Sequence, residues 1–600
     1  MVINDLITSD LMEINNKSIA KLLREAAACY KIKNERSYRF QIIAYERAAE
    51  TIESLTSEVK DLWKEGKLTE IPGVGPSIQD YIDQLFKFGF VKHIDDLKKN
   101  LPGGMFALLD VPGFGAKTAY KLALEFKIEN PDTAVEEIEK VAKNHKIAPL
   151  EGFGEKSEEV ITQNLKRFRE ISSRAYRMPL PFASEIAGRV VDHLKKLPFT
   201  AVVEPLGSLR REVATIGDID IAVATVKPKE TLDWFVKYPR TKRILEKGQS
   251  TASIIVDTGA QVDLMVQPPA SFGSLLQHFT GSKNHNIKLR EYAISKKMSL
   301  SEYGIKINGK LQKYSKEKDF YRALGMQWIP PELRENTGEV EASLNNSLPH
   351  LIELKDVKGD LQIHSNYNIE PSHDLGVNSF SEIVQKAKVL GYSYVGFSEH
   401  NPSISKHTTT DIINILKRRK ETIEQEKSST KSVQIISLLE VDILPDGSLA
   451  VPDKGMEHLD ACLVSIHTSM EMSKEQMTER VLKALQNPFA KILAHPTGRI
   501  IGQRIGFELD WDKVFALALK LDKAIEINAA PQRLDLPDIL VRYAIKKGVK
   551  LIINTDAHEI SGMDMMPYGI SVARRGWATK DDIINTMPYN ELIKWLHKRN

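Results

Sequence analysis

From residue 358 onward the chain repeats one unit, a short apolar run that ends in a metal-type residue and is followed by an amphipathic helix. The runs are 359-GDLQIHS, 394-YVGFSEH, 435-IISLLEVD, 461-ACLVSIH, 491-KILAHP and 551-LIINTDAH, and the helices between them include EIVQKAKVLGY and DILVRYAIKKGV. Repeated βα units predict a barrel, with the reactive end where the strands finish. His364, His400, Glu440, His467, His495, Asp556 and His558 all fall at such ends. A lone strand-end histidine is usually structural, but seven converging ligand types fit metal ions. Imidazole with carboxylate suits Zn²⁺, Mn²⁺ or Fe²⁺, and clustered ions of this kind activate water for phosphoester hydrolysis.

A second set of acids lies upstream. Asp218 and Asp220 sit in 207-GSLRREVATIGDIDIAVA-224, and Asp263 in 260-AQVDLMV-266. Both are short β-type runs bounded by glycine or a turn. Residues two apart on a strand face the same side, so adjacent strands would gather three carboxylates. Such crowding needs a cation, and hard oxygen ligands suit Mg²⁺ or Mn²⁺ held with substrate phosphates. Gly207 and Ser208 open a turn whose N–H groups and hydroxyl can cradle phosphate oxygens. Arg210 and Arg211 follow, suited to bidentate phosphate contact.

The N-terminal third carries an internal repeat after an initial run of helices. PGVG at 72–75, PGFG at 112–115 and EGFG at 151–154 each precede an amphipathic stretch. The pairs Gly73 and Gly75, Gly113 and Gly115, and Gly152 and Gly154 permit tight turns at helix N-termini, where N–H groups face an anion. The pattern resembles the helix-hairpin-helix, which holds DNA by its backbone and reads no sequence.

Length and composition set the outer bounds. A chain of 600 residues holds several domains. Net charge is +3, so nucleic-acid binding must rest on local patches; residues 281–325 carry 11 Lys/Arg against 4 Asp/Glu. Cys29 and Cys462 give no disulfide framework. The N-terminus shows no signal pattern and no apolar run reaches membrane-spanning length, so a cytoplasmic protein with no membrane partner is expected.

The order Gly-Ser, Arg-Arg, Gly-Asp-x-Asp and a distant Asp resembles the nucleotidyltransferase palm of family X DNA polymerases. The C-terminal motif order resembles the polymerase-and-histidinol-phosphatase (PHP) domain, and the two halves together resemble bacterial or archaeal family X polymerases that carry one. The resemblance implies helix-hairpin-helix N-terminal domains, an α/β palm with a thumb, and a distorted (β/α)7 barrel. The expected domains are 1–92 (lyase-like), 93–177 (fingers-type), 178–269 (palm), 270–325 (thumb), 326–350 (a linker rich in Pro, Asn and Ser) and 351–600 (PHP). Within the palm, Asp218 and Asp220 would bind both metals, with Asp263 at the catalytic one; Gly207, Ser208 and Arg211 would hold triphosphate. Thr280 and Gly281 in 278-HFTGSKNHNIKLR-290 would approach the sugar, Asn286 and Arg290 the minor-groove side, and Arg177 a phosphate. In the barrel, the family's acid after the first motif falls on Asp374, with Glu370 behind it, and Arg499 is a candidate phosphate contact.

Four positions depart from the family. Gln362 replaces the first histidine of Asp-Leu-His-x-His, and His278 stands where relatives often carry Tyr. Tyr81 and Ser77 stand where lyase members carry lysines, so Schiff-base chemistry is not expected.

The resemblance implies a polymerase filling short gaps in base-excision repair with dNTPs on gapped or primed duplex DNA. Its barrel, with two or three ions of Mn²⁺, Zn²⁺ or Fe²⁺, would be a 3′–5′ exonuclease, with abasic sites as a further target. A monomer associated with the nucleoid is expected. The alternatives are a phosphatase of small phosphomonoesters and a non-catalytic DNA scaffold.

Overall fold

The structure, a computed structural model, describes residues 16–599 apart from 55–58, 65, 67, 112, 132, 173–176 and 431. Pro112 of the second repeat and the first 15 residues of the expected lyase-like domain lie outside the described residues. Two compact units result, Met1–Arg177 with Ile255–Ala260, and Met178–Ile254 with Gln261–Asn600.

The first unit is helical, and its three repeats share one turn. They lead into helices α1 (Pro76–Phe88), α2 (Ala116–Glu125) and α3 (Glu155–Ser172). In each, the N–H of Val74, Phe114 or Phe153 donates to the carbonyl of Ile71, Val111 or Leu150, at 3.1, 3.0 and 2.9 Å. The first glycine is left-handed in all three, with φ of 79°, 80° and 82° at Gly73, Gly113 and Gly152, a region other residues enter at a cost of about 1 kcal/mol. The third repeat lacks the proline yet makes the same turn. Burial of Ile78, Ile82 and Leu85 on α1, and of Ala119, Leu122 and Ala123 on α2, docks the helices.

The expected palm is a five-stranded sheet of β1 (Thr200–Pro205), β2 (Ile219–Thr225), β3 (Thr241–Lys247), β4 (Thr251–Val256) and β5 (Gln261–Gln267). Its order is β1-β2-β5-β4-β3. β2 and β5 run parallel, with Asp220 opposite Asp263. Along β5, Val262, Leu264 and Val266 are buried while Asp263 and Met265 are partly open, the period-2 pattern of a sheet with one covered face. Helix α4 (Lys283–Ser295) and a three-stranded antiparallel sheet over 298–312 follow.

Residues 326–350 are not a loose linker. Ile329, Leu333 and Val340 join Leu289, Ile305, Phe320 and Tyr321 in one buried cluster. Arg334, fully buried, donates to Glu317 at 2.6 Å and to the Ile329 carbonyl at 2.9 Å. Nothing periodic announces this segment, because an ion pair and turn contacts order it.

The rest is a seven-stranded parallel sheet in chain order: β6 (Gly359–Ile363), β7 (Tyr394–Phe397), β8 (Gln434–Asp442), β9 (Ala461–Ser465), β10 (Ala490–Leu493), β11 (Ala524–Asn528) and β12 (Lys550–Asn554). β11 is absent from the six runs picked out in the sequence, because no metal-type residue ends it. The ends of the sheet meet through a parallel bridge between Ile363 and Ala557, with the His364 N–H donating to the Ala557 carbonyl at 2.9 Å. Inward residues such as Leu361, Leu438, Leu463, Ile492 and Ile552 pack with Leu592, Trp595 and Leu596 of the C-terminal helix. Helix α5 (Met566–Arg575) flanks the barrel beside β12.

Candidate functional site

Two constellations form within the second unit. In the palm, one carboxylate oxygen from each of Asp218, Asp220 and Asp263 lies within 4.8 Å of the others. Asp220 and Asp263 are cross-strand neighbours, whereas Asp218 sits in the bend just before β2 rather than on it. Burial, and then repulsion from Asp218 and Asp263, push the Asp220 carboxyl up to about 7, with Arg211 pulling the other way. A group so destabilised as an anion is one that a divalent cation would stabilise. Gln261, which the sequence reading missed, donates to both Asp263 oxygens at 3.1 and 3.0 Å and fixes their orientation.

The turn 207–210 is pinned to this acid. The Leu206 N–H donates to the Asp220 carbonyl at 2.8 Å. Gly207 has φ of 56°, and a Cβ there would sit 2.5 Å from the Asp220 Oδ2, so only glycine fits. Ser208 follows in a single helical turn. The two arginines divide. Arg210 is forked onto Glu317 at 3.0 and 2.9 Å and also donates to the Thr280 hydroxyl, a structural role. Arg211 gives Nε to Glu335 at 2.9 Å and Nη1 to the Thr280 carbonyl. Gly281 has φ of 67°, and a Cβ there would lie 3.1 Å from the Arg211 Nη1. Asn286 is tied to the His278 carbonyl and to Gln277, at 2.7 and 2.8 Å, while Arg290 is exposed on the same helix. Arg177 is exposed at the end of the first unit. In that unit Tyr81 stacks on His93 with rings 5.5 Å apart.

The barrel mouth gathers its eight expected ligands, seven of them around Glu440, which is fully buried. His495 Nε2 lies 2.8 Å from Glu440, His364 and His467 each 3.3 Å, and His400 3.5 Å. Asp556 lies 3.2 Å from His364. Asp374 lies 3.2 Å from His400 and 3.5 Å from His558, while Glu370 pairs with His407 instead. Both nitrogens of His364, His400 Nδ1 and His558 Nε2 are buried without a hydrogen-bond partner. Imidazole lone pairs that crowd carboxylates without bonding to them fit ions held in common. His495 and Asp556 both have positive φ, 27° and 57°, strain that clusters at functional sites.

Gln362 enters this cluster as a donor. Its Nε2 reaches Glu440 at 3.1 Å and Asp556 at 3.3 Å, and its Oε1 is buried without a partner. Three further residues escaped the sequence reading. Asp442 orients His467 through Nδ1 at 2.7 Å, as carboxylates do behind metal-binding histidines; its place two residues after Glu440 was the available signal. His373 lies 3.1 Å from Asp442, and nothing in the sequence distinguished it. Arg533 lies 3.5 Å from Asp556. Arg499 is not at the site as a phosphate contact: it donates to the carbonyls of Arg533 and Leu534 and so shapes the loop that carries Arg533.

Comparisons with known proteins divide along the same lines. Family models match residues 14–89 as a helix-hairpin-helix domain and 275–335 as a DNA polymerase beta thumb. The DNA polymerase/3′-5′ exonuclease PolX of Bacillus subtilis (strain 168) is 32% identical over 593 residues, 98% of this chain and 100% of that one. DNA polymerase lambda of Rattus norvegicus is 22% identical over 53% of the chain and 56% of its own length. A "Probable phosphatase" of Thermoanaerobacter sp. (strain X514) is 25% identical over 35% of the chain and 84% of its own length.

Proposed function

The chain belongs to the PolX family of family X DNA polymerases with 3′–5′ exonuclease activity, and from that premise we propose how its two sites share the work. It is a DNA-binding, divalent-metal-dependent DNA polymerase and exonuclease. In our reading the palm extends a primer 3′-OH with dNTPs in short gaps of damaged DNA, and the barrel removes 3′ nucleotides and acts at abasic sites. The carrying observation is that one chain holds two separate ligand clusters, one all carboxylate and one imidazole-rich.

In the palm, Mg²⁺ or Mn²⁺ would neutralise phosphate charge and ease deprotonation of the 3′-OH. Asp218 and Asp220 would hold both ions, and Asp263 the catalytic one. The N–H groups of the 207–208 turn and the Arg211 guanidinium grip the triphosphate. Thr280 and Gly281 shape the wall beside the sugar, and Asn286 and Arg290 face the nascent pair. In the barrel, two or three ions of Mn²⁺, Zn²⁺ or Fe²⁺ would supply an activated water. His364, Asp374, His400, Glu440, His467, His495, Asp556 and His558 would hold them. Arg533 is placed to meet the phosphodiester. The same reading has the enzyme act as a monomer in the cytoplasm, on nucleoid DNA.

The test is product length on a gapped primer–template, in Mg²⁺ and in Mn²⁺. Extension with dNTPs and shortening without them are expected. A static primer alongside rapid hydrolysis of a small phosphomonoester would overturn the reading.

Gly75 and Gly115 have ordinary φ, and a Cβ would meet nothing within 4 Å at these two or at Gly154. Leucine at any of these three positions should spare the fold and block a phosphate. DNA affinity should fall about tenfold, with the log–log salt slope reduced by about 1 for each phosphate no longer held; titration over a salt series reads both.

Because the Asp220 carboxyl sits at about 7, metal must displace a proton below that pH. The Mg²⁺ needed for half-maximal extension should rise by up to about tenfold per pH unit from 7 downward and level off above it. A requirement flat from pH 6 to 8 would contradict this.

Gln362→His should restore an imidazole where a neutral amide now stands. Manganese content and 3′ digestion at limiting Mn²⁺ should rise by about tenfold, the scale of a tuned ligand. Wild-type protein that binds no metal and digests nothing in excess Mn²⁺ would mean a barrel kept for structure alone.

A further inference from the structure

One carboxylate is shared by two arginines, one from the palm and one from the barrel. Glu335 Oε1 accepts from Arg211 Nε at 2.9 Å and from both Nη atoms of Arg575 at 3.2 Å. Arg575 closes the last turn of α5, on the barrel, and its side chain is 6% exposed. Its Nη1 also donates to the backbone carbonyl of Arg211 at 2.7 Å, and Asp538 braces it from behind at 2.7 Å. A barrel side chain therefore grips both the main chain of Arg211 and the acid on which the Arg211 guanidinium rests.

The consequence is electrostatic. Arg211 commits Nε to Glu335 and Nη1 to the Thr280 carbonyl, leaving Nη2 for an anion, and it acts on Asp220 within the acid cluster. With Asp538 paired to Arg575, two arginines face two carboxylates and the cluster is balanced; take Arg575 away and the two carboxylates leave net negative charge beside Arg211. Without Arg575, Glu335 would belong to Arg211 alone, and the Arg211 main chain would lose its tether.

We propose that Arg575 is a positioning residue for nucleotide addition: from the barrel domain it shares Glu335 and fixes the backbone of Arg211, so that the Arg211 guanidinium is presented to the incoming triphosphate. This rests on the reading of Arg211 as a triphosphate contact. It makes the barrel a working part of the polymerase through a contact that involves none of the barrel's metal ligands.

The experiment is single-nucleotide incorporation on gapped DNA by the full-length protein, with 3′ digestion and thermal midpoint measured alongside. Arg575→Ala should raise KM for dNTP about tenfold, the scale of one charge-assisted contact. Its kcat and 3′ digestion should stay near wild type. Adding Glu335→Gln to Arg575→Ala should bring KM most of the way back, because the unshared acid is then gone. A merely structural clamp would lose further with the second change. Unchanged KM in folded Arg575→Ala, or a double variant worse than the single, overturns the proposal. If Arg575→Ala does not fold, Glu335→Gln alone decides: it should lower KM by about twofold or more, and no fall overturns the proposal. Arg211→Ala separates the two layers. If it leaves KM unchanged, the triphosphate assignment has failed; if it raises KM while Arg575→Ala does not, only the coupling has failed.

Discussion

Asp220→Ala is expected to abolish primer extension, by about 10³-fold or more, and to leave 3′–5′ digestion at the wild-type rate. Asp220 is the palm acid at the centre of the site, opposite Asp263 on β5 and pressed against Gly207. In the proposed site its loss would remove a ligand shared by the ions, and metal stabilisation of a phosphoryl transition state amounts to several kcal/mol; about 4 kcal/mol is roughly 10³-fold. The substitution should not unfold the sheet. It relieves the burial and repulsion that push this carboxyl up to about 7 in the absence of metal, so the thermal midpoint should hold or rise. Primer length against time, with and without dNTPs, measures both activities in one tube. Loss of digestion as well, in a folded variant, would mean that the two sites are not separate.

The mirror result is expected for Glu440→Ala, with 3′ digestion falling by about 10³-fold or more and extension intact. Glu440 is fully buried, yet the imidazoles of His400, His364, His467 and His495 hold its carboxyl well below the usual range. Removing it would take away the proposed shared ligand and leave four histidines without a central counter-charge. Glu440→Gln keeps the volume and removes only the charge, so it should lose digestion nearly as completely, and metal content should fall with it. His467→Ala and His558→Ala should follow the same pattern. Wild-type digestion by folded Glu440→Ala would place the nuclease elsewhere.

What the sequence revealed depended on which force ordered each segment. The barrel strands are buried on both faces, so they read as apolar runs, and their terminal histidines marked the site. β11 is as apolar as the others but ends in Asn528, so no ligand type marks its end. The hairpin turns were legible because left-handed backbone demands glycine, and the third kept its turn without the proline. By contrast, residues 326–350 carry no period. Arg334 and Glu317 order them, and an ion pair between positions 17 apart leaves no local trace. Nor could spacing separate Arg210, spent on Glu317, from Arg211, which faces the acids. Asp442 and Gln261 act by orienting other side chains, a role that residue type alone does not announce.

The seam of the barrel bears on how the protein is made. Gln362 on the first strand reaches Asp556 beyond the last across 194 residues, and His364 stacks on His558 with rings 4.0 Å apart. During translation the palm acids emerge early and can meet while the barrel is still being synthesised. The nuclease cannot assemble until β12 has left the ribosome and closed against β6, a long-range pairing that is slow to form. A product terminated before β12 would therefore carry the palm acids without a trimming site, and without Arg575 as well.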